Sequence, residues 1–299
     1  MINKYLLCVI LGLSLLLPLL AGGQSESGDN SPSGRTATGG GDLAGAMAMM
    51  DTAMEEEEEF SSMDEYYLGR AVAANILSLY RPYTRNPALT RYLNRICQTI
   101  VINSPQPELF NGYHVIVLDT SEFNAFASPG GHIFITRGLV EAATSEDMLA
   151  AVIAHEFAHI FLKHGIAMIS DIRLSNELSA TADRAGGLAA RESSVAARAV
   201  HFGNSVTAMI DVLVKNGYSR AQEYEADSAA ITLLAASGYN PGALIEMLRV
   251  LQRVQGSQSG GFNSTHPTPA ERISNADRMT GRYRTQDTGS YRTSRFINR

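Results

Sequence analysis

The sequence predicts an α+β fold that is mostly helical and contains a small β-sheet or hairpin. The sheet is indicated by two β-rich stretches, residues 113–118 and 131–136, with the turn-forming residues Ser128-Pro129-Gly130 between them. Two strands and a tight turn favour a hairpin. The helices are indicated by apolar residues that recur at helical spacing before and after the strands. A small sheet accompanied by many helices is an α+β arrangement.

Helices are expected on both sides of the sheet. The first begins near Met63 and ends before Pro82, and the second covers 88–101. After the strands the chain is expected to be helical in four segments: 147–164, an Ala-rich stretch that extends through 207–214, 220–236 and 241–254. The helix at 147–164 is expected to start with Thr144 and Asp147 as a capping pair and to end at Gly165.

The size and charge of the chain limit its function. It has 299 residues, of which 45% are hydrophobic, so it can form one large globular domain or two small ones. Its formal net charge is −6, which provides no overall basic field for neutralising phosphates. We therefore expect no nucleic acid partner, and an anionic membrane surface is disfavoured for the same reason.

The first 23 residues have the layout of a secretory signal peptide. Lys4 precedes an apolar run at 5–20, and the small residues Ala21-Gly22-Gly23 follow. We therefore expect a periplasmic or otherwise exported protein, with a membrane anchor as the alternative if the segment is not cleaved. Once the signal is removed, Cys97 is the remaining cysteine, so no intramolecular disulfide can form. Cys97 lies in an apolar helical pattern and is interpreted as a core thiol.

The rest of the chain is divided by composition. Residues 24–60 are rich in Gly and Ser and then acidic, which is typical of a flexible linker. The globular domain is assigned to 61–280, and 281–299 is assigned to a C-terminal tail. Within the domain, residues 170–206 are expected to form a lid or a cleft wall.

A metal-binding motif lies inside the predicted helix 147–164. Residues His155-Glu156-Phe157-Ala158-His159 have the form H-E-x-x-H, which places the two histidines one turn apart on one helix face. The alternative is a helix with ordinary surface histidines, but the apolar neighbours leave little of this helix for solvent. We predict one zinc ion per chain, bound by His155 and His159, with Glu156 as the base that activates water.

A third ligand is needed, because a catalytic zinc site takes three protein ligands and leaves the fourth position for water. The helix predicted at 220–236 carries Glu223 and Glu225 near its start. Glu223 shares its face with small and apolar residues, whereas Glu225 shares its face with polar ones. Glu223 is therefore the predicted ligand, and Glu225 is assigned to the surface. Asp227, one turn after Glu223, is predicted to accept a hydrogen bond from a liganding imidazole.

With these motifs in hand, the chain resembles the zinc metallopeptidase family that includes the CAAX prenyl endopeptidase, HtpX and periplasmic BepA. The resemblance covers roughly residues 66–279. It is carried by Asn124-Ala125-Phe126 with Gly131-His132-Ile133-Phe134, by the motif at 155–159, by Glu223-Tyr224-Glu225-Ala226-Asp227, and by His266-Pro267-Thr268-Pro269-Ala270-Glu271-Arg272-Ile273. It implies a zincin-like domain whose small sheet borders the active-site cleft.

The resemblance also implies roles for individual residues. It makes Glu223 the third zinc ligand, in agreement with the helix-face argument. It places Asn124 and Ala125 beside an extended substrate, to which they bind through backbone hydrogen bonds. It brings His266 and Arg272 near the metal, where one of them stabilises the oxyanion or gates the site. Blockage of the open zinc position by a loop histidine, which would make the enzyme latent, is the other option.

Together these features predict an exported zinc endopeptidase that hydrolyses unfolded or misassembled envelope proteins. Outer-membrane proteins as substrates are implied by the resemblance alone, and no small-molecule cofactor is expected. The alternative is a latent or chaperone-like module that holds such proteins with little proteolysis. His164, near the end of the motif helix, is interpreted as a helix cap and not as a metal ligand.

Overall fold

The computed structural model describes residues 61–109, 111–171, 195–255, 266, 268–283 and 289–299. The predicted signal peptide, the linker at 24–60 and most of the expected lid lie outside these residues. All of the described residues lie in the same structural unit. No helix within the described ranges combines the length and the apolar character that crossing a bilayer requires.

The described elements are mostly helices, with three short strands, which confirms the predicted α+β class. In chain order they are α1 (Ser62–Leu79), α2 (Pro87–Val101), β1 (His114–Leu118), β2 (Ala125–Ser128), β3 (His132–Thr136), α3 (Arg137–Ala142), α4 (Glu146–Phe161), α5 (Val195–Asp211), α6 (Arg220–Ala236), α7 (Ala243–Gln255), α8 (Pro269–Thr280) and α9 (Gly289–Ile297). A 3₁₀ turn, Pro129–Gly131, joins β2 to β3, and a π-helical turn, Val212–Asn216, follows α5.

The sheet has the order β1-β3-β2, which differs from the predicted hairpin. β1 and β3 are parallel, with His114 opposite His132, so the two stretches expected to form a hairpin do not form one. The hairpin consists of β2 and β3, with Ala125 opposite Ile135. The residue pattern did not indicate β2, because its four residues, Ala-Phe-Ala-Ser, are all buried and show neither polar alternation nor β-branched side chains.

Helices cover both faces of the sheet. Ile133 and Ile135 point into the larger apolar cluster, to which α2, α4, α6 and α7 contribute. Phe134 points the other way, into a smaller cluster with residues of α1 and α5. Cys97 lies fully buried in the larger cluster, where burial raises the pKa of its thiol to about 12, as expected for a core residue. This packing fixes α4 between the sheet and α6.

The ends of α4 differ from those predicted. The N-cap is Ser145, whose side chain accepts a hydrogen bond from the N–H of Met148, and not Thr144. The helix ends at Phe161 and not at His164, because Lys163 adopts a left-handed conformation with φ of 55°. Helical structure resumes at 164–171. The turn between the two segments redirects His164 away from the line of α4.

The segment assigned to a C-terminal tail contains α9, which packs against α4. Arg292 forms an ion pair with Asp147 at 2.8 Å, and Arg295 forms one with Glu146. Both carboxylates lie in the first turn of α4, where negative charge is favoured by the helix dipole. The end of the chain is thus held to the start of the helix that carries the H-E-x-x-H motif.

Gly69 in α1 lies against the 3₁₀ turn that precedes β3. A Cβ atom at this position would lie 1.9 Å from the carbonyl oxygen of Pro129, which is a backbone atom that cannot move alone. We expect Gly69→Ala to lower the free energy of unfolding by about 1–3 kcal/mol, measured by urea denaturation. The matched control is Gly203→Ala in α5, where the added Cβ meets no described atom within 4 Å. Because alanine has a better helix propensity than glycine, this control variant should be more stable by up to about 1 kcal/mol. Equal effects at both positions would contradict the tight contact.

Candidate metal centre

The predicted site residues come from two helices that pack against each other. α4 carries His155, Glu156 and His159, and α6 carries Glu223 and Asp227. α6 begins with a capping box between Ser219 and Gln222, which places Glu223 in the first turn. All five side chains belong to residues no more than 2% exposed. Buried polar groups at this density require mutual hydrogen bonds or a bound ion.

The three predicted zinc ligands converge on one point. The Nε2 atoms of His155 and His159 lie 3.1 Å apart, and they lie 3.5 and 3.4 Å from the carboxylate oxygens of Glu223. A tetrahedral zinc ion with ligand bonds of about 2.0–2.1 Å has ligand-to-ligand distances of about 3.3–3.4 Å. The arrangement of these residues therefore fits a zinc ion without rearrangement.

His266 joins this cluster. Its Nδ1 lies 2.7 Å from Oε1 of Glu223, and its side chain is 3% exposed. One potential ligand atom from each of His155, His159, Glu223 and His266 lies within 4.8 Å of the others. His266 thus lies beside the candidate ligands, close enough to serve as a fourth ligand or as a donor beside one.

Asp227 and Arg272 support the ligands from one side. Oδ1 of Asp227 lies 3.1 Å from Nδ1 of His155, as expected for a partner that directs the opposite nitrogen, Nε2, to a metal. Arg272, fully buried at the start of α8, donates to both carboxylate oxygens of Asp227 and lies 3.1 Å from Oε2 of Glu223. Through these contacts Arg272 compensates the charges of Asp227 and of the candidate ligand Glu223. They favour His266 over Arg272 as a group that can face an oxyanion.

Glu156 carries a buried carboxyl group next to the candidate ligands. The residue is 1% exposed, and neither carboxylate oxygen has a hydrogen-bond partner among the described residues. Burial raises the pKa of this carboxyl above its usual value, which makes it a stronger base. A buried acid of this kind next to a ligand cluster is typical of a catalytic base.

The charges of the ligands suit a cation. Burial alone would raise the pKa of Glu223, but the adjacent His266 and Arg272 hold it well below its usual value, so the carboxylate is ionised. Burial lowers the pKa of His159 to about 3, which leaves its imidazole neutral. Burial also opposes a charge on His155, but hydrogen bonds to Asp227 and Glu223 raise its pKa to about 9. A bound metal ion would replace the proton on Nε2 of His155 and leave the Nδ1 proton bonded to Asp227.

Of the predicted substrate residues, Ala125 begins β2 and Asn124 immediately precedes it. Asn124 is 3% exposed and Ala125 is fully buried. The N–H of Asn124 donates to Oγ1 of Thr136, and its carbonyl accepts from the N–H of Thr136, each at 3.0 Å. The backbone of Asn124 is thus already bonded within the sheet. Because backbone groups alternate in an antiparallel pair, those of Ala125 and Ala127 point to the outer edge of β2.

Two contacts beside the centre were not predicted: His164 contacts His159, and Glu225 contacts His164. Nδ1 of His164 lies 2.9 Å from Nδ1 of His159, and its Nε2 lies 3.2 Å from the carboxylate of Glu225. The interpretation of His164 as a cap is wrong, because α4 ends before it. In an uninterrupted helix, residues five apart do not share a face, so spacing gave no signal. Glu225 is exposed, as predicted, and still reaches His164.

Tyr218 is another neighbour that the sequence did not indicate. Its ring stacks on the imidazole of His159, with centroids 4.1 Å apart and planes inclined by 14°. A small cavity beside this pair is lined by Ala127 and Ser128 of β2. The edge of the hairpin therefore lies next to the candidate metal centre.

Comparison with known proteins identifies related sequences. The model of peptidase family M48 matches residues 85–280. Among curated proteins, the beta-barrel assembly-enhancing protease of Escherichia coli (strain K12) is 27% identical over 197 residues, which cover 65% of this chain and 39% of that protein. The mitochondrial metalloendopeptidase OMA1 of Schizosaccharomyces pombe is 29% identical over 186 residues, covering 62% of this chain and 51% of that protein.

A shorter relative is matched more fully. Metalloprotease LoiP of Escherichia coli (strain K12) is 29% identical over 197 residues, which cover 65% of this chain and 73% of that protein. By contrast, the chain spans about two fifths to one half of the first two relatives. The matched region includes every residue of the candidate metal centre.

Proposed function

We propose that this chain is a zinc endopeptidase. It belongs to peptidase family M48 and is a metalloprotease. In this proposal His155, His159 and Glu223 hold one zinc ion, and Glu156 is the catalytic base. The supporting observation is the convergence of two Nε2 atoms and a carboxylate at distances that suit tetrahedral zinc, beside a buried Glu156 with no partner among the described residues.

The reaction follows from the positions of the protein groups. When bound, zinc supplies a Lewis acid that acidifies water and polarises the scissile carbonyl. Glu156, whose pKa is raised by burial, takes the proton from the attacking water and passes it to the leaving amine. His266 is our candidate for the donor that stabilises the oxyanion, since its ring lies in the ligand cluster. Asp227 holds His155 in the tautomer that presents Nε2.

The substrate is proposed to be an extended polypeptide that pairs with β2. The outer edge of β2 carries the backbone groups of Ala125 and Ala127, and the cavity next to His159 opens beside Ala127. Backbone pairing requires a segment that is not already folded, which favours unfolded chains as substrates. Asn124 supports this edge through its bonds to Thr136 and does not bind the substrate backbone.

The proposed location and substrates rest on the N-terminal sequence and on one set of relatives. The apolar run at 5–20 favours a periplasmic or exported protein, and one set of relatives bears the name beta-barrel assembly-enhancing protease. Unfolded or misassembled envelope proteins, among them outer-membrane proteins, are therefore the proposed substrates. A second candidate is a latent or chaperone-like protein, which is favoured by the 2.7 Å contact of His266 with the ligand Glu223. A fourth protein ligand would close the position that water needs.

Metal removal tests the proposal. We expect one zinc ion per chain by elemental analysis and cleavage of casein that stops on treatment with 1,10-phenanthroline and returns with added zinc. The zinc-loaded chain should also be more stable, by about 2.7 kcal/mol when free zinc is 100 times its dissociation constant. Cleavage by the metal-free chain would contradict the proposal. Zinc binding without cleavage, together with cleavage by His266→Ala, would instead favour the latent protein.

A further inference from the structure

We propose that His164 and Glu225 are positioning residues for the metal ligand His159. In this arrangement a chain of two hydrogen bonds runs from His159 through His164 to the surface carboxylate of Glu225 and fixes the tautomer and orientation of the ligand ring. The inference rests on the proposed zinc site, because it assigns what supports one of the ligands. Neither residue lies within the H-E-x-x-H motif or the set of four ligand groups.

The donors and acceptors match in one direction. Nε2 of His159 faces Nε2 of His155 and the carboxylate of Glu223, so a neutral, metal-binding His159 carries its proton on Nδ1. That N–H points to Nδ1 of His164 at 2.9 Å, which must then accept. His164 in turn carries its proton on Nε2 and donates it to the Glu225 carboxylate at 3.2 Å. Each ring nitrogen of His159 and His164 thus has a complementary partner.

The two ligand histidines receive different support. His155 donates to Asp227, a fully buried carboxylate that Arg272 holds in place. For His159 the corresponding partner is the imidazole of His164, and the carboxylate of Glu225 lies beyond that imidazole. The side chains of His159, His164 and Glu225 are 0%, 5% and 66% exposed, so this support runs from the buried centre to solvent. A hydrogen bond to an exposed carboxylate is weak, so His164 should matter more than Glu225.

The backbone around His164 is shaped for this contact. Lys163 has a left-handed conformation, which is strained for a residue with a side chain and is typical of functional sites. On the other side of His164 is Gly165, where a Cβ atom would lie 2.5 Å from Cε of Met209 and 3.4 Å from the Tyr218 hydroxyl. Gln222 donates to the carbonyl of His164 at 3.4 Å, which ties the turn to α6. The turn is therefore held from both sides in the position that brings His164 to His159.

The test compares two substitutions of His164. Glutamine has a carbonyl that can accept from His159 and an amide that can donate to Glu225, whereas phenylalanine preserves bulk without either group. We expect His164→Phe to weaken zinc binding by about 10- to 100-fold and His164→Gln to stay within about 3-fold of the parent chain. Glu225→Ala should give a smaller loss than His164→Phe. Glu246→Ala, at an exposed carboxylate of α7, is the matched control and should have no effect.

Affinity is measured by competition with a zinc chelator, and the visible spectrum of the cobalt-substituted chain reports the ligand geometry. Unfolding of each metal-free variant is measured alongside, so that a general loss of stability is recognised. If the parent chain binds zinc and His164→Phe binds it equally well with an unchanged cobalt spectrum, the positioning role is overturned while the zinc site stands. Equal losses in the Phe and Gln variants would also overturn it. Failure of the parent chain to bind zinc would overturn the proposed function itself.

Discussion

Glu156→Gln is expected to remove peptide-bond cleavage and to leave zinc binding intact. The glutamine side chain has the same shape but cannot take a proton from water, and a general base contributes about 10²- to 10⁴-fold to a rate. Glu156 is not among the groups that converge as ligands, so the metal content should stay at that of the parent chain. The measurement is casein cleavage by the zinc-loaded variant together with its zinc content.

Glu141→Gln provides the matched control, because it makes the same change at a carboxylate that is 61% exposed and forms an ion pair with Arg137. It should alter cleavage less than 2-fold, which is about the scatter of a surface substitution. Undiminished turnover by zinc-loaded Glu156→Gln would show that another group is the base. Loss of zinc from that variant would instead show that Glu156 helps to bind the metal.

Glu156→Gln is also expected to change how the stability of the chain depends on pH. Burial raises the pKa of Glu156 in the folded chain above its value in the unfolded chain. Such a group favours folding at low pH, and that stability is lost as pH rises from about 4.3 through the folded pKa. Glutamine does not ionise, so metal-free Glu156→Gln should become more stable than the parent chain as pH rises through this window. A catalytic base kept at a cost in stability would follow this pattern.

The sequence was sufficient to predict which three side chains converge at the candidate metal centre, because helical spacing is a local property. Residues four apart must share a face, so His155 and His159 could be paired without knowledge of the fold. The preference for Glu223 over Glu225 came from the apolar face of α6, and the structure buries Glu223 completely while leaving Glu225 exposed. Each of these inferences required one helix and its amphipathic pattern.

What the sequence did not predict depends on contacts between distant segments or on single backbone angles. The parallel pairing of β1 with β3 depends on β2, whose short and fully buried sequence resembles neither an alternating strand nor a helix. The role of His164 depends on the left-handed turn at Lys163, which no residue type demanded. The resemblance placed Arg272 near the metal, but its ion pairs with Asp227 and Glu223 were not predicted, because they depend on the packing of α8 on α6.

Arg272→Met is expected to cause the largest loss of stability of these substitutions. The guanidinium binds both oxygens of Asp227 and lies 3.1 Å from Glu223, and all three side chains are at most 1% exposed. Removing one partner of a buried ion pair leaves the other charge uncompensated, which costs about 3–5 kcal/mol. The free energy of unfolding of the metal-free chain, from urea denaturation, measures this loss. Arg278→Met, at an exposed position of the same helix, should change it by less than about 0.5 kcal/mol.

The pH dependence identifies the origin of that loss. In the parent chain burial would raise the pKa of Asp227, but Arg272 holds it below its usual value, and Glu223 is held low by His266 and Arg272. Carboxyls with lowered pKa stabilise the fold above about pH 4 and lose that effect as pH falls. Without Arg272 burial raises the pKa of Asp227, so the deficit of the variant should be largest at neutral pH and shrink towards pH 4. Zinc should also reduce it, because the cation compensates Glu223. A deficit that is the same at every pH, with and without zinc, would mean that Arg272 acts by packing alone.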